Sequence, residues 1–349
     1  MTARQHKPVW AVSTETKTLS AALAVAIVTF ALIEPQFLSL RVVQSAAFQL
    51  PELGILTLAM LLPTLTGGLN LAITYTANIA ALFVAWIVLI NGGTDAGVGV
   101  FAVACVLALL VGGACGAIMG SSISLTGAHP ILVSLAMMIF LRGVGEFLTK
   151  GGDMSVLPQF VSHLGQGSLW GIPIPAMLLL ACLVGTHVFL GRTRLGFYTY
   201  MAGSNIEATR YAGVNTRFVI VAAYALSGVL SAIAGIVMMT RFNSVRVGHG
   251  ESYLLITILA CFLGNVDPHG GFGRVLPVAI ALLLLQVLTS GANAIGANQH
   301  LATAFWGMLL IVVMGVRWLA SAFSERRAKR SFKRAQSLAV GPARIVPPA

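Results

Sequence analysis

The sequence predicts an all-α polytopic membrane protein, with about ten transmembrane helices and one short helix at the cytoplasmic surface. Three observations lead there. Of the 349 residues, 57% are hydrophobic and only 9% charged, whereas a soluble globule of this length carries roughly a quarter charged residues. There are too few charges to coat a water-facing surface, so lipid must be the solvent for most of it. Single apolar runs at 19–33, 79–90, 97–119, 218–239 and 275–290 approach, with their flanks, the roughly 20 residues that cross a bilayer core. One polar stretch, RTRLGFYTYMAGSNIEATRYAGVNTR at 192–217, interrupts the middle of the chain.

Clusters of Gly, Pro and Asn, together with charge, divide the chain into ten candidate spans: 18–38, 42–62, 69–90, 97–119, 130–148, 174–191, 217–240, 252–264, 274–290 and 300–320. Two depart from a plain span. Residues 42–62 carry Pro51 and Glu52 in mid-run, and 252–264 is short, so each is read as a candidate broken helix buried in protein. Residues 1–17 form a polar N-terminal tail, 18–320 one transmembrane domain, and 321–349 a basic C-terminal tail. The first apolar run ends at Glu34-Pro35 without a small-x-small cleavage site, which reads as a retained span.

Basic residues set the orientation. With both termini cytoplasmic, the N-terminal tail, 192–217, 265–274 and the C-terminal region hold 3, 4, 1 and 8 Lys and Arg, sixteen in all. The opposite side and its helix ends keep five: Arg41, Arg142, Lys150, Arg241 and Arg246. That is the asymmetry of the positive-inside rule. The net charge of +11 and the tail ERRAKRSFKR read as topology signals that meet anionic lipid, not as a nucleic-acid surface. The four cysteines, Cys105, Cys115, Cys182 and Cys261, lie in apolar runs without a C-x-x-C pair and read as small buried hydrophobes, with no metal site implied.

Enzymatic chemistry finds no support. A phosphate-cradling loop of the form G-x-x-x-x-G-K-[ST] needs a lysine after a glycine, and no lysine here follows one. GGFGR at 270–274 lacks the third glycine of a dinucleotide fingerprint and reads as a tight turn. No histidine lies in H-E-x-x-H, and no catalytic residue is assigned.

The polar residues offer two constellations. Ser204-Asn205-Ile206-Glu207 has the spacing of a capping box, and Gly213 the position of a C′ glycine. Together they predict a helix of about two turns over 205–212, with Glu207 and Arg210 neighbours on its surface. A rigid surface knob and a plain topology-setting loop are both open readings. In the span 69–90, Asn70, Thr74 and Asn78 recur every four residues and would share one helix face, with Gly67-Gly68 before them marking a close approach or a break. Hydrogen bonding between helices and lining of a path for a hydroxyl-rich solute both fit. Arg142 and Glu146 are spaced to form an ion pair, and Gly112, Gly116 and Gly120 make a small face for close helix packing.

The segment 192–217 resembles the cytoplasmic coupling segment of the permease subunits of bacterial ABC importers for monosaccharides, the ribose/xylose/galactose class. Arg192, Thr193, Gly196, Tyr200, Gly203, Asn205, Ala208, Arg210 and Gly213 carry the likeness. It continues through GGLNLA at 67–72, PQFVSHLGQGSLWGIPIP at 158–175 and GGFGRVLPVAIALLLLQVLTSGANAIG at 270–296. Asn70 and Ala72 stand where that family usually has Asp and Ser, which points to a divergent substrate or to a paired permease that keeps the aspartate.

The resemblance implies the ten-helix ABC importer permease fold with an internal repeat, in the bacterial inner membrane. It implies a second permease copy or a paralogous one, a cytoplasmic ATPase and a periplasmic substrate-binding protein. ATP would be used by that ATPase, with no cofactor in this chain. Arg192, Gly203, Ser204, Asn205, Glu207, Arg210 and Gly213 would receive the ATPase's motion, and Asn70, Thr74 and Asn78 would line the path. Permeases for nucleosides or branched-chain amino acids are the alternative within this superfamily, and a stand-alone secondary transporter the alternative outside it.

Overall fold

A computed structural model describes residues 14–155 and 157–296, together with 307, 308, 311 and 315. The expected span 300–320 and the tails 1–13 and 321–349 otherwise lie outside the described residues. Gly307, Met308, Ile311 and Gly315 are helical and exposed, and belong to a unit separate from the one that ends at Ala302.

The described residues are mostly helical, as their apolar runs demand: in lipid a backbone must satisfy its own amides and carbonyls. α1 (Thr14–Ile33) is followed by a 3₁₀ turn (Pro35–Leu38), then α2 (Leu40–Leu65), α3 (Ile73–Ile90), α4 (Val98–Thr126) and α5 (Pro130–Thr149). α6 (Gln159–Gln166) and a two-strand hairpin, β1 (Ser168–Leu169) and β2 (Ile172–Pro173), lead into α7 (Ile174–Arg192). The polar segment forms α8 (Arg194–Ser204) and α9 (Ile206–Tyr211); α10 (Thr216–Phe242), α11 (Tyr253–Leu263) and α12 (Val275–Ala294) complete the described fold. Eight of these helices are long and apolar enough to cross a membrane among the described residues.

Burial sorts them into a core and a shell. The apolar windows of α2 and α3 are 67% buried, while those of α1, α4, α5 and α7 are 22% buried or less and turn apolar side chains such as Leu110, Leu132 and Leu180 outward. α10 runs through the centre against α2, α3 and α4. Its contact with α4 uses the glycine repeat: a Cβ at Gly112, Gly116 or Gly120 would strike the α10 backbone at Gly228, Tyr224 or Val221. Only side-chain-free positions allow the two helices this close.

α2 does not break. It runs through both Pro51 and Pro63, and α10 provides part of the reason. Pro63 has no N–H to offer the carbonyl of Ala59 four residues back, and the Ser227 hydroxyl donates to that carbonyl instead, at 2.6 Å. The breaks fall elsewhere. Residues 66–72 are non-helical between α2 and α3, and 243–252 between α10 and α11. Long helix, break and shorter helix thus occur twice. α11, with 11 residues, is about 16 Å long at 1.5 Å per residue, too short to span the bilayer core, as its short apolar run suggested.

Candidate functional site

Two regions hold the residues that the sequence singled out, and local chemistry shapes both. At the α8–α9 end of the molecule, Thr193 caps α8: its Oγ1 accepts from the Gly196 amide at 3.0 Å and donates to the Phe189 carbonyl at 2.7 Å. Gly196 has to lack a side chain, because a Cβ there would strike the Phe189 carbonyl and the Leu190 Cα. The Arg-Thr-x-x-Gly pattern is therefore a tight fold-back of α8 on α7, with Arg192 exposed at its edge.

The expected capping box is displaced by one residue. Ser204 is the last residue of α8, and Asn205 is the N-cap of α9, with φ −163° and ψ 106°. Its Oδ1 accepts from the Ala208 amide at 2.9 Å. α8 keeps its helical winding through Ser204, so the extended geometry an N-cap requires first appears at 205. α9 is accordingly six residues, 206–211, in place of the expected 205–212. Its other end matches the expectation: Gly213, at φ +80°, donates to the Arg210 carbonyl, and Val214 donates to the Thr209 carbonyl. These are the two bonds of a Schellman motif. Glu207 and Arg210, both exposed, approach to 3.9 Å, the acid in the first turn and the base in the last, as the helix dipole favours. Ile206 and Tyr211 are also exposed.

α8, which leads into this surface helix, is anchored by close contacts. A Cβ on Gly203 would collide with the Leu65 carbonyl at the end of α2 and with the Gly271 amide. That amide donates to the same Leu65 carbonyl at 2.9 Å, and the Tyr200 hydroxyl donates to the Gly273 carbonyl at 2.9 Å. Burial pushes the Tyr200 phenol up to about 12, so it stays a donor at any physiological pH. Gly270 lies against Gly67, the first glycine of the break at 66–72. α8, the glycine turn 270–273 and the start of that break therefore meet at one junction.

The second region is the break itself. Asn70 does not share a helix face with Thr74 and Asn78, because α3 begins at Ile73. Gly67 takes φ +85°, and the Asn70 Oδ1 captures the Ala72 amide at 3.0 Å. This side-chain turn competes with helix and delays it. The Asn70 Nδ2 donates to Ser227 Oγ at 3.0 Å, and Ser134 Oγ donates to the Leu69 carbonyl at 3.0 Å. Asn78 donates through Nδ2 to the carbonyls of Val247 and His249 in the second break. Thr74 Oγ1, with Thr76 Oγ1 and Tyr224 Oη, is buried without a hydrogen-bond partner. All three expected path residues are buried. Asn70 and Asn78 satisfy and hold non-helical backbone inside protein.

One buried charge has partners that the sequence did not identify. Glu52, fully buried in α2, meets Arg241 Nη1 at 2.8 Å in an ionic approach that lacks hydrogen-bond alignment, and accepts from the Tyr253 hydroxyl at 3.1 Å. An acid inside an apolar run demands a partner, which was the available signal; nothing in the sequence selects Arg241 from the other bases. Among the described residues no group of three or more His, Cys, Asp or Glu could hold a metal ion.

A lipid-facing shell around a twice-broken core that buries a minority of polar side chains, with a capped helix held at one end, defines a multi-pass membrane permease. The chain belongs to the family described as branched-chain amino acid transport system / permease component, whose model matches residues 42–314. It is similar to the autoinducer 2 import system permease protein LsrD of Photorhabdus luminescens and of Yersinia pseudotuberculosis strain YPIII, with 29% identity over 304 residues that cover 85% of this chain and 89% of each relative. The protein of the same name in Photorhabdus laumondii is 28% identical over 303 residues, with the same coverage. No solved structure gives a significant match.

Proposed function

We propose that the chain is the membrane-spanning subunit of an ATP-driven importer for a monosaccharide-like, hydroxyl-rich solute. It would form the translocation pathway with a second copy or a paralogous permease, in a bacterial inner membrane with both termini cytoplasmic. The observation that carries the reading is the similarity over 85% of the chain to permeases named for autoinducer 2 import. The family's description names branched-chain amino acids, and that is the second reading; the similarity to the autoinducer 2 permeases favours the first.

On this reading the chain has no cofactor of its own, because ATP is hydrolysed by a separate cytoplasmic ATPase, and a periplasmic binding protein delivers the solute. The ATPase docks on α9 and its flanks: Arg192, Glu207 and Arg210 supply charge, while Gly203, Ser204, Asn205 and Gly213 fix the helix in place. Motion received there passes to the end of α2 and the glycine turn through the backbone junction at Gly203. Asn70 and Asn78 then hold the breaks beside the pathway in register, and Thr74 lies buried between them.

Co-purification with an ATPase, followed by uptake into membrane vesicles, tests this. We expect Arg210→Glu to lower uptake at least tenfold with the permease still in the membrane. Full uptake by that variant, or a permease that never associates with an ATPase, would refute the coupling role. Leucine uptake without uptake of D-ribose or autoinducer 2 would favour the second reading.

A further inference from the structure

A charged cluster adjoins the second break. Past the middle of α5, Arg142 donates through Nε to Glu146 at 2.9 Å and brings Nη1 to 3.7 Å from Glu251 in the second break. Tyr75, in the first turn of α3, donates to the same Glu251 oxygen at 3.2 Å. The three charged side chains are 50–61% exposed. Arg142 and Glu146 sit on a helix whose full length is a candidate span, beside outward-facing Ile139, Phe140 and Phe147, and Glu251 reaches them from the second break. Charged groups within a span face the bundle interior or a water-filled cavity, since hydrocarbon cannot solvate them. Exposure here therefore means exposure to water or to another polar surface.

The cluster is also held in place. Asn78, one turn from Tyr75, grips the carbonyls of Val247 and His249, so α3 fixes the stretch that presents Glu251. One guanidinium between two carboxylates leaves a net negative surface that both donates and accepts hydrogen bonds. Such a surface suits hydroxyls, which do both.

We propose that Arg142, Glu146 and Glu251, propped by Tyr75, line a water-filled part of the translocation pathway and form the polar wall that a polyhydroxylated solute touches in transit. The class of solute rests on the import reading above; the water-facing wall does not. It differs from the path expected from the sequence, whose three residues are buried.

The test uses the full-length chain in its complex. Glu146→Cys, Glu251→Cys and Phe140→Cys are prepared in membrane fragments open on both sides. They are treated with a membrane-impermeant cationic methanethiosulfonate, and labelling is read site by site by peptide mass spectrometry. Glu146→Cys and Glu251→Cys are expected to react at least tenfold faster than Phe140→Cys, and their modification to abolish uptake in sealed vesicles. Labelling at both sites no faster than at Phe140→Cys overturns the proposal, as does full uptake after complete modification. Failure of the import reading looks different: the unmodified complex takes up neither D-ribose nor autoinducer 2, while the labelling contrast remains and upholds the wall.

Discussion

Asparagine does opposite work in the two regions, at the surface and in the core. Asn205 and Asn215 stand at helix starts near the surface, where each accepts from an amide three residues ahead and ends its influence within one turn. Asn70 and Asn78 are buried, and each reaches across the fold to Ser227 or to the 247–249 carbonyls. The first pair starts helices: Asn205 caps the short α9, which presents charge outward, and Asn215 caps α10. The second closes gaps in a backbone that lipid would otherwise punish. A polar residue in a membrane protein is thus informative only together with its partner, since the same amide can cap a helix at the surface or hold a break in the core.

Substitutions can break this contrast. The largest effect is expected at the junction between the two regions. Gly203→Val places a side chain against the Leu65 carbonyl and the Gly271 amide, both backbone atoms, and such overpacking costs about 1–3 kcal/mol or more. Thermal unfolding in detergent should fall sharply, with little complex recovered. Next comes Asn70→Leu, which orphans the buried Ala72 amide at about 1–3 kcal/mol. Lower thermal stability should accompany any loss of uptake, and lost uptake at unchanged stability would return Asn70 to the solute path. Asn205→Ala removes one cap, worth about 1 kcal/mol, from a six-residue helix. Uptake should drop several-fold while the unfolding midpoint hardly moves, and a large stability loss would erase the distinction between the two regions. Smallest of all, Glu207→Gln should leave stability unchanged, because its partner is exposed and 3.9 Å away, and should show only as a changed salt dependence of ATPase association.

The spans were legible because lipid imposes a composition that few other environments do, and nine of the ten expected spans coincide with described helices to within several residues. The Gly112–Gly116–Gly120 face and the Gly213 terminus were also legible, since each follows from one residue type at a fixed spacing. What escaped depended on distant partners. Pro51 and Glu52 marked 42–62 as a candidate broken helix, but α2 is continuous, helped at Pro63 by a serine on α10. The cap moved from Ser204 to Asn205 because α8 outlasts its local signal by one turn position. The Arg241 partner of Glu52 and the Ser227 partner of Asn70 lie far along the chain, where no short-range pattern can reach.

The bond from Ser227 to Ala59 also makes two helices depend on each other. A hydroxyl at 227 is needed because position 63 lacks an amide, so a chain that replaced Pro63 by alanine would regain its own ladder and make that bond redundant. Loss of Ser227 should therefore harm the present protein more than a Pro63→Ala background, a positive coupling of the kind double-mutant cycles measure. The link with Asn70 would keep part of the cost in either background. Positions 63 and 227 are in this sense one structural feature written at two places in the sequence.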